Sequence, residues 1–227
     1  MSVVAIIDSG IQNNKNLNIV KSMTLYVNDN YEIEERPDST CLNEHGTIIA
    51  DIITLINPDV ELIDINILDE KLETNGQIMI QALKKALSFK PDIINLSLGT
   101  NNIRYVFELR KLIKEAVKNK IIIVAAYSNN NKITFPAMMK NVVGVKRMST
   151  LKLRNTPKSI YFYKNSIFYA PDSAKTIYHL KCKTCNYSMR GNSISAAYIS
   201  GELSLIANGK NLTIGDVLNT FITSYTK

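Results

Sequence analysis

Cysteine is scarce in this chain, three among 227 residues. An odd number cannot close a complete disulfide framework, so Cys41, Cys182 and Cys185 exclude a disulfide-stapled fold. No apolar run reaches the length of a membrane span, which leaves no helical anchor to expect. Met1-Ser2 leads directly into an apolar stretch, without a basic leader region or a small-residue cleavage site. The expectation is a cytoplasmic chain with no signal peptide and no pro-domain. Internal repeats and low-complexity linkers are absent as well, so one domain over residues 1–227 is expected.

What is present is the composition of an ordinary soluble chain with a full core: 45% hydrophobic and 21% charged residues. The net charge of +7 is unevenly spread. Between Leu151 and Arg190 stand Lys152, Arg154, Lys158, Lys164, Lys175, Lys181, Lys183 and Arg190, against Asp172 alone. Such a segment attracts acidic partners. It lacks the basic and aromatic alternation of a nucleic-acid module, so it reads as a basic loop region and no nucleic-acid partner is expected.

Ser2–Ile7 is nearly continuous in apolar residues, which suits a strand buried on both faces. It ends in Asp8-Ser9-Gly10, at the carboxyl end where open α/β sheets place their sites. A weak strand follows over Ile19–Val27, and the acidic tract Asn28–Asp38 reads as a solvated loop. From His45 the pattern is helical, with apolar positions 48, 49, 52, 53 and 56 on one stripe. Strands are expected at Glu61–Leu68, Asp92–Gly99, Ile121–Ala126 and Asn141–Val145, with helices at Gly76–Phe89 and Phe107–Val117 between them. A hairpin edge is expected over 159–170, a helix from Ser193, and a closing helix over Thr213–Ser224. This alternation predicts an α/β fold, a doubly wound, mostly parallel sheet with helices on both faces.

Arg190-Gly191-Asn192 reads as a tight turn that opens a helix of small and apolar residues. Taken alone, Asn192 or Ser193 reads as a helix cap, which Ser and Asn commonly supply. A serine there also stands at the positive end of the helix dipole, beside unpaired N–H groups that can hold an oxyanion. His45, one of two histidines in the chain, starts a helix and is a candidate base. Asp8, His45 and Ser193 thus stand in the order aspartate, histidine, serine, each at a strand end or helix start.

At these residues the chain resembles the subtilisin-like serine peptidases, the subtilase family. Val4–Ile11 resembles the family's aspartate motif and His45–Ala50 its histidine motif, with Ile48 where a second His is usual and Asp51 where Gly is usual. Ile94–Gly99 resembles the strand lining the substrate cleft, and Val124–Asn129 the segment with the oxyanion-hole asparagine, Ser128 replacing the usual Gly. Thr134-Phe135-Pro136-Ala137 and Tyr169-Ala170-Pro171 resemble the aromatic-Pro-Ala and Ala-Pro turns. Gly191–Ala196 resembles the serine motif, with Asn192 in place of Thr, and Ala197 follows in place of a near-standard Pro.

The resemblance implies a serine endopeptidase. Ser193 would be the nucleophile, His45 the base and Asp8 its orienting partner, with Asn129 and the Ser193 N–H as the oxyanion hole. Ser97, Leu98 and Gly99 and Ala126, Tyr127 and Ser128 would wall the S1 pocket, with Thr134 near its floor. Ser128 and Thr134 stand where Gly is frequent, which predicts a small or medium apolar P1 residue. The partner is a peptide or protein substrate. The compact, unsecreted form also resembles leader peptidases of ribosomally made peptides such as lanthipeptides, for which an acidic leader would suit the basic segment. No cofactor and no required metal, calcium included, is expected; Cys182-Lys183-Thr184-Cys185 has no second pair for zinc and reads as incidental thiols. The alternative is a catalytically impaired peptide-binding protein that keeps the fold.

Overall fold

The first strand of the chain lies in the middle of the sheet. The computed structural model describes residues 1–12, 16–130, 132–148, 162–164, 167–181, 183–184, 186–207 and 213–223. In it β1 (Val3–Asp8) pairs in parallel with β4 (Glu61–Asn66) on one side and β5 (Ile93–Leu96) on the other. Outward from β4 come β2 (Ile19–Val27) and β3 (Ile33–Pro37). Outward from β5 come β6 (Ile122–Ala126), β7 (Val143–Met148), β9 (Ile167–Pro171) and β8 (Phe162–Lys164). The pairs are parallel except at the two edges, β2 with β3 and β8 with β9.

Alternation along each central strand feeds two cores. Val4, Ile6, Ile93, Ile122 and Val124 face one side, where α1 (His45–Ile56), α4 (Ala174–Leu180) and α5 (Asn192–Ala207) pack. Ala5, Ile7, Ile94, Leu96 and Ile123 face the other, covered by α2 (Gly76–Ser88) and α3 (Val106–Lys118). Both faces of a parallel sheet are therefore apolar, which is why these strands read as continuous apolar runs. A last helix, α6 (Ile214–Thr223), rests Ile214 against the first core. No helix among the described residues is long and apolar enough to cross a membrane.

The α5 helix is buried nearly all round, as its run of small and apolar residues requires. Its buried hydroxyls are each satisfied: Ser195 Oγ donates to the carbonyls of Ala170 and Pro171, and Ser200 Oγ to Asn95 Oδ1 at 2.9 Å. At Gly201 the backbone approaches α1 closely. A Cβ there would lie 2.8 Å from Ile56 Cδ1, so glycine lets the two helices touch.

Two expectations are corrected. The acidic tract contains a strand, β3, because an edge strand tolerates charge on its solvent face. Tyr26 Oη donates to Glu34 Oε2 across the pair, and Lys85 on α2 holds Glu35 at 2.6 Å. The basic segment is also no continuous loop. The expected hairpin edge is there as β8–β9, with Phe168 and Ala170 buried, and after it comes a helix that was not expected, α4, whose Ala174 and Ile177 are buried at helical spacing. The start of α4 is capped by Ser173 Oγ, which accepts from Thr176 N.

Candidate active site

β1 is the point where the chain's strand order turns back, and Asp8 stands at its carboxyl end. The turn after it is built to receive the start of α1. Ser9, fully buried, accepts a hydrogen bond from Gly46 N at 3.0 Å and donates one to Asn43 O at 2.9 Å. Asn43 Oδ1 accepts from His45 N. Two of the orphan N–H groups of α1 are thus satisfied by side chains from outside the helix. Gly10 adopts φ +84°, a left-handed conformation that favours glycine. A Cβ on Gly46 would collide with Gly10 O, so the two glycines let the helix start sit directly on the turn.

This junction brings His45 over Asp8. His45 Nδ1 lies 2.7 Å from Asp8 Oδ1, which also accepts from Ser9 N at 2.8 Å. On the ring's other side, His45 Nε2 lies 3.0 Å from Ser193 Oγ, in the first turn of α5. The Ser193 hydroxyl therefore points at the imidazole and does not cap its own helix. Burial works against the imidazolium, but the hydrogen bond and the charge of Asp8 outweigh it and hold the His45 pKa above its ordinary value. The Asp8 side chain is fully buried and His45 is 12% exposed.

Asn129 follows β6 and faces the same helix start. Its Oδ1 accepts from Asn192 N at 2.9 Å, which turns the Nδ2 donor end to the opposite side. Gly191 lies alongside at φ +155°: a Cβ there would come 3.3 Å from both polar ends of the Asn129 carboxamide and 3.6 Å from Ser193 Oγ. Bare backbone at Gly191 therefore keeps the space between donor and hydroxyl open. Asp172, nearly buried, anchors the preceding turn: its carbonyl accepts from Gly191 N and its carboxylate pairs with Arg190 at 3.0 Å.

The residues expected to wall S1 are positioned by the ends of β5 and β6. Ser97 Oγ accepts from Asn95 Nδ2, Leu98 packs on the second core, and Ala126 is buried. The Tyr127 ring lies against β7 at Gly144, with the Lys146 ammonium 4.6 Å from its centre. Thr134 is almost fully buried. Its Oγ1 accepts from Ser128 N at 3.0 Å and donates to Lys132 O at 2.9 Å, while its methyl lies against Gly99. Ser128 Oγ is turned to Asn130 Oδ1.

Sequence reasoning did not single out Ser9, Asn43 or Gly46 as residues that seat the site, nor Asp64. The last is buried on β4, where Oδ2 accepts from Ile11 N at 3.0 Å and Ser22 Oγ at 3.1 Å. Burial, aided by the charge of Asp8 and opposed by those hydrogen bonds, pushes its pKa up to about 6. An acid flanked on both sides by isoleucine, Ile63 and Ile65, inside the strand was the available signal. Among the described residues no group of three or more His, Cys, Asp or Glu side chains is placed to hold a metal ion. Cys182 and Cys185 lie outside the described residues.

The family model for the subtilase family matches residues 2–222. The chain belongs to the subtilase family. Two Bacillus subtilis (strain 168) proteins are similar to it. The minor extracellular protease Epr is 27% identical over 154 residues, covering 63% of this chain and 22% of Epr. The major intracellular serine protease is 26% identical over 186 residues, covering 72% of this chain and 55% of that protein. This subtilase thus spans about a fifth of one relative and about half of the other. Among solved structures, a lanthipeptide protease aligns with a TM-score of 0.65 at 20% identity, over 90% of this chain and 73% of its own. The prenylagaramide maturation protease PagA aligns with a TM-score of 0.65 at 22% identity, over 91% and 75%. At these identities the likeness establishes the subtilisin-like fold, an α/β sheet with helices on both faces.

Proposed function

We propose that this subtilase is a serine endopeptidase that uses Ser193, His45, Asp8 and Asn129, and that it processes a ribosomally made peptide precursor in the cytoplasm. The observation that carries the reading is the single imidazole of His45, held at 2.7 Å from Asp8 Oδ1 and 3.0 Å from Ser193 Oγ. Ser193 Oγ attacks the scissile carbonyl carbon, and its proton passes to His45 Nε2 as the C–O bond forms. The carbonyl π electrons move to oxygen, where Asn129 Nδ2–H and Ser193 N–H stabilise the negative charge. Collapse breaks the C–N bond, and His45 Nε2–H protonates the leaving amine. Water, deprotonated by His45, then attacks the acyl-enzyme and releases the acid and the Ser193 hydroxyl. Asp8 holds Nδ1–H throughout and stabilises the imidazolium. We read residues 1–227 as one peptidase domain, since one sheet serves both cores.

The substrate class is supported by the lanthipeptide protease and the prenylagaramide maturation protease among the structural neighbours. A cavity of about 600 Å³ beside α4 also supports an acidic partner, for Lys175, His179 and Lys183 line it with Ser173, Thr176 and Thr184. Its rim is joined to the site, because Ser173 bridges Arg190 and Asp172 O accepts from Gly191 N. For P1, the Thr134 side chain fills the floor between Gly99 and Ser128, which favours a small or medium apolar residue over Phe or Arg. The similarity to a major intracellular protease supports the compartment.

A tagged fluorophosphonate tests the chemistry. It should label the wild type at Ser193, by peptide mapping, and Ser193→Ala and His45→Ala should lose both labelling and peptide hydrolysis. A folded wild type inert to the probe and to every peptide in a panel would support the peptide-binding alternative instead. A panel in which Phe or Arg is best at P1 would overturn the pocket reading.

A further inference from the structure

We propose that Asn192 is a positioning residue for the oxyanion hole, acting through Asn129; the inference rests on the reading of Ser193 as the nucleophile. Asn192 stands where the family usually has Thr, and it is 4% exposed. Its Oδ1 accepts from Arg147 N at 2.7 Å, and its Nδ2 donates to Tyr127 O at 2.8 Å and Ser128 O at 3.0 Å. A peptide N–H only donates and a peptide carbonyl only accepts, so these partners fix which end of the carboxamide is oxygen. With the bond from its own N–H to Asn129 Oδ1, Asn192 holds three consecutive residues, 127 to 129, against the start of α5. It also ties that start to β7 through Arg147.

The consequence falls on Asn129. That residue is exposed, and an untethered carboxamide turns about its last torsion with little preference. Turned by half a revolution it would present Oδ1 to the developing oxyanion, replacing attraction with repulsion. The bond from Asn192 N selects the orientation with Nδ2 toward the site. The bonds from the Asn192 side chain keep the Asn129 backbone at the distance that bond requires. A threonine hydroxyl has one proton to give and cannot bond both Tyr127 O and Ser128 O as donor at full strength. Asn192 therefore does with one side chain what a hydroxyl at this position does only in part.

The test measures the rate of fluorophosphonate labelling, whose phosphoryl oxygen occupies the oxyanion hole, and kcat and KM for a p-nitrophenyl ester. Asn192→Ala should lower the labelling rate and kcat by about tenfold or more with KM nearly unchanged. In an Asn129→Ala background the same change should cost less than about twofold, because the group it positions is gone. Asn192→Thr should recover part of the rate. Thermal melts check folding, and Asn192→Thr carries the same cycle if Asn192→Ala does not fold. Equal losses with and without Asn129, or no loss in kcat, would overturn the proposal and leave Asn192 a structural residue. If the wild type is not labelled at Ser193 at all, the failure belongs to the nucleophile reading.

Discussion

Two helix starts face each other across the carboxyl end of the sheet, and they are held in different ways. The start of α1, with His45, is gripped from outside by Ser9 and Asn43 and seated glycine on glycine against Gly10. The start of α5, with Ser193, is held at the Asn192 N–H by Asn129 Oδ1 and also grips outward: the side chain of Asn192, its first residue, reaches the two residues after β6 and the Arg147 N–H on β7. The proposed base is thus placed by the fold's entry loops, and the proposed nucleophile by a side chain of its own helix together with Asn129. The same task of ordering a helix terminus has two solutions in one site. Under the proposed roles, the solution at α5 also orders the oxyanion donor, which α1 has no need to do.

The comparison can be broken most severely at Gly191. Gly191→Ala puts a methyl between the Asn129 carboxamide and Ser193 Oγ and strains a backbone at φ +155°. Hydrolysis should fall by about a hundredfold or more, the scale known for an oxyanion donor in subtilisin, a relative of this chain. Activity close to wild type would show that the α5 side does not depend on open space there. At α1 the matching change is Ser9→Ala, which leaves Gly46 N without its acceptor in a buried place. A loss of about 1–3 kcal/mol in chemical denaturation is expected, with His45 misplacement lowering kcat as well. Loss of activity without loss of stability would mean that the hydroxyl acts on chemistry and not on helix seating.

The smallest effect is on pH. His45 must be neutral to accept the Ser193 proton, and its pKa is raised. The acid limb of kcat/KM should therefore lie above pH 6.5, with activity rising as pH rises through the His45 pKa. Asn192→Ala should leave that limb in place, because Asn192 acts on the oxyanion side, whereas Asp8→Asn should lower it. A limb that moves with Asn192 would join the two helix starts into one electrostatic unit.

Much of this was legible in the chain itself. Asp8, His45 and Ser193 each stand at a strand end or a helix start beside glycine or small residues, Asn129 stands in the turn after a strand, and local pattern carries that information. The central strands were legible for the same reason, since burial on both faces leaves continuous apolar runs. What stayed hidden depends on distant partners. Asn192 read as a departure from the family's threonine, because Arg147 and Tyr127 lie 45 and 65 positions away. Ser9 read as part of a turn, because Gly46 lies 37 positions on. The strand β3 was masked by its charges, which an edge tolerates and a central strand does not.

The contact between Gly201 and Ile56 gives the pair of helices a second point of attachment, far along α5 from the hydroxyl. The imidazole and the hydroxyl ride on two rods held at their starts and again where Gly201 meets Ile56, so their separation is a matter of leverage as much as of local bonding. A methyl added at Gly201 would act as a wedge and rotate the rods about the end that carries His45 and Ser193. Substitutions deep in this core, with no view of the substrate, are therefore constrained by the tolerance of a 3.0 Å gap.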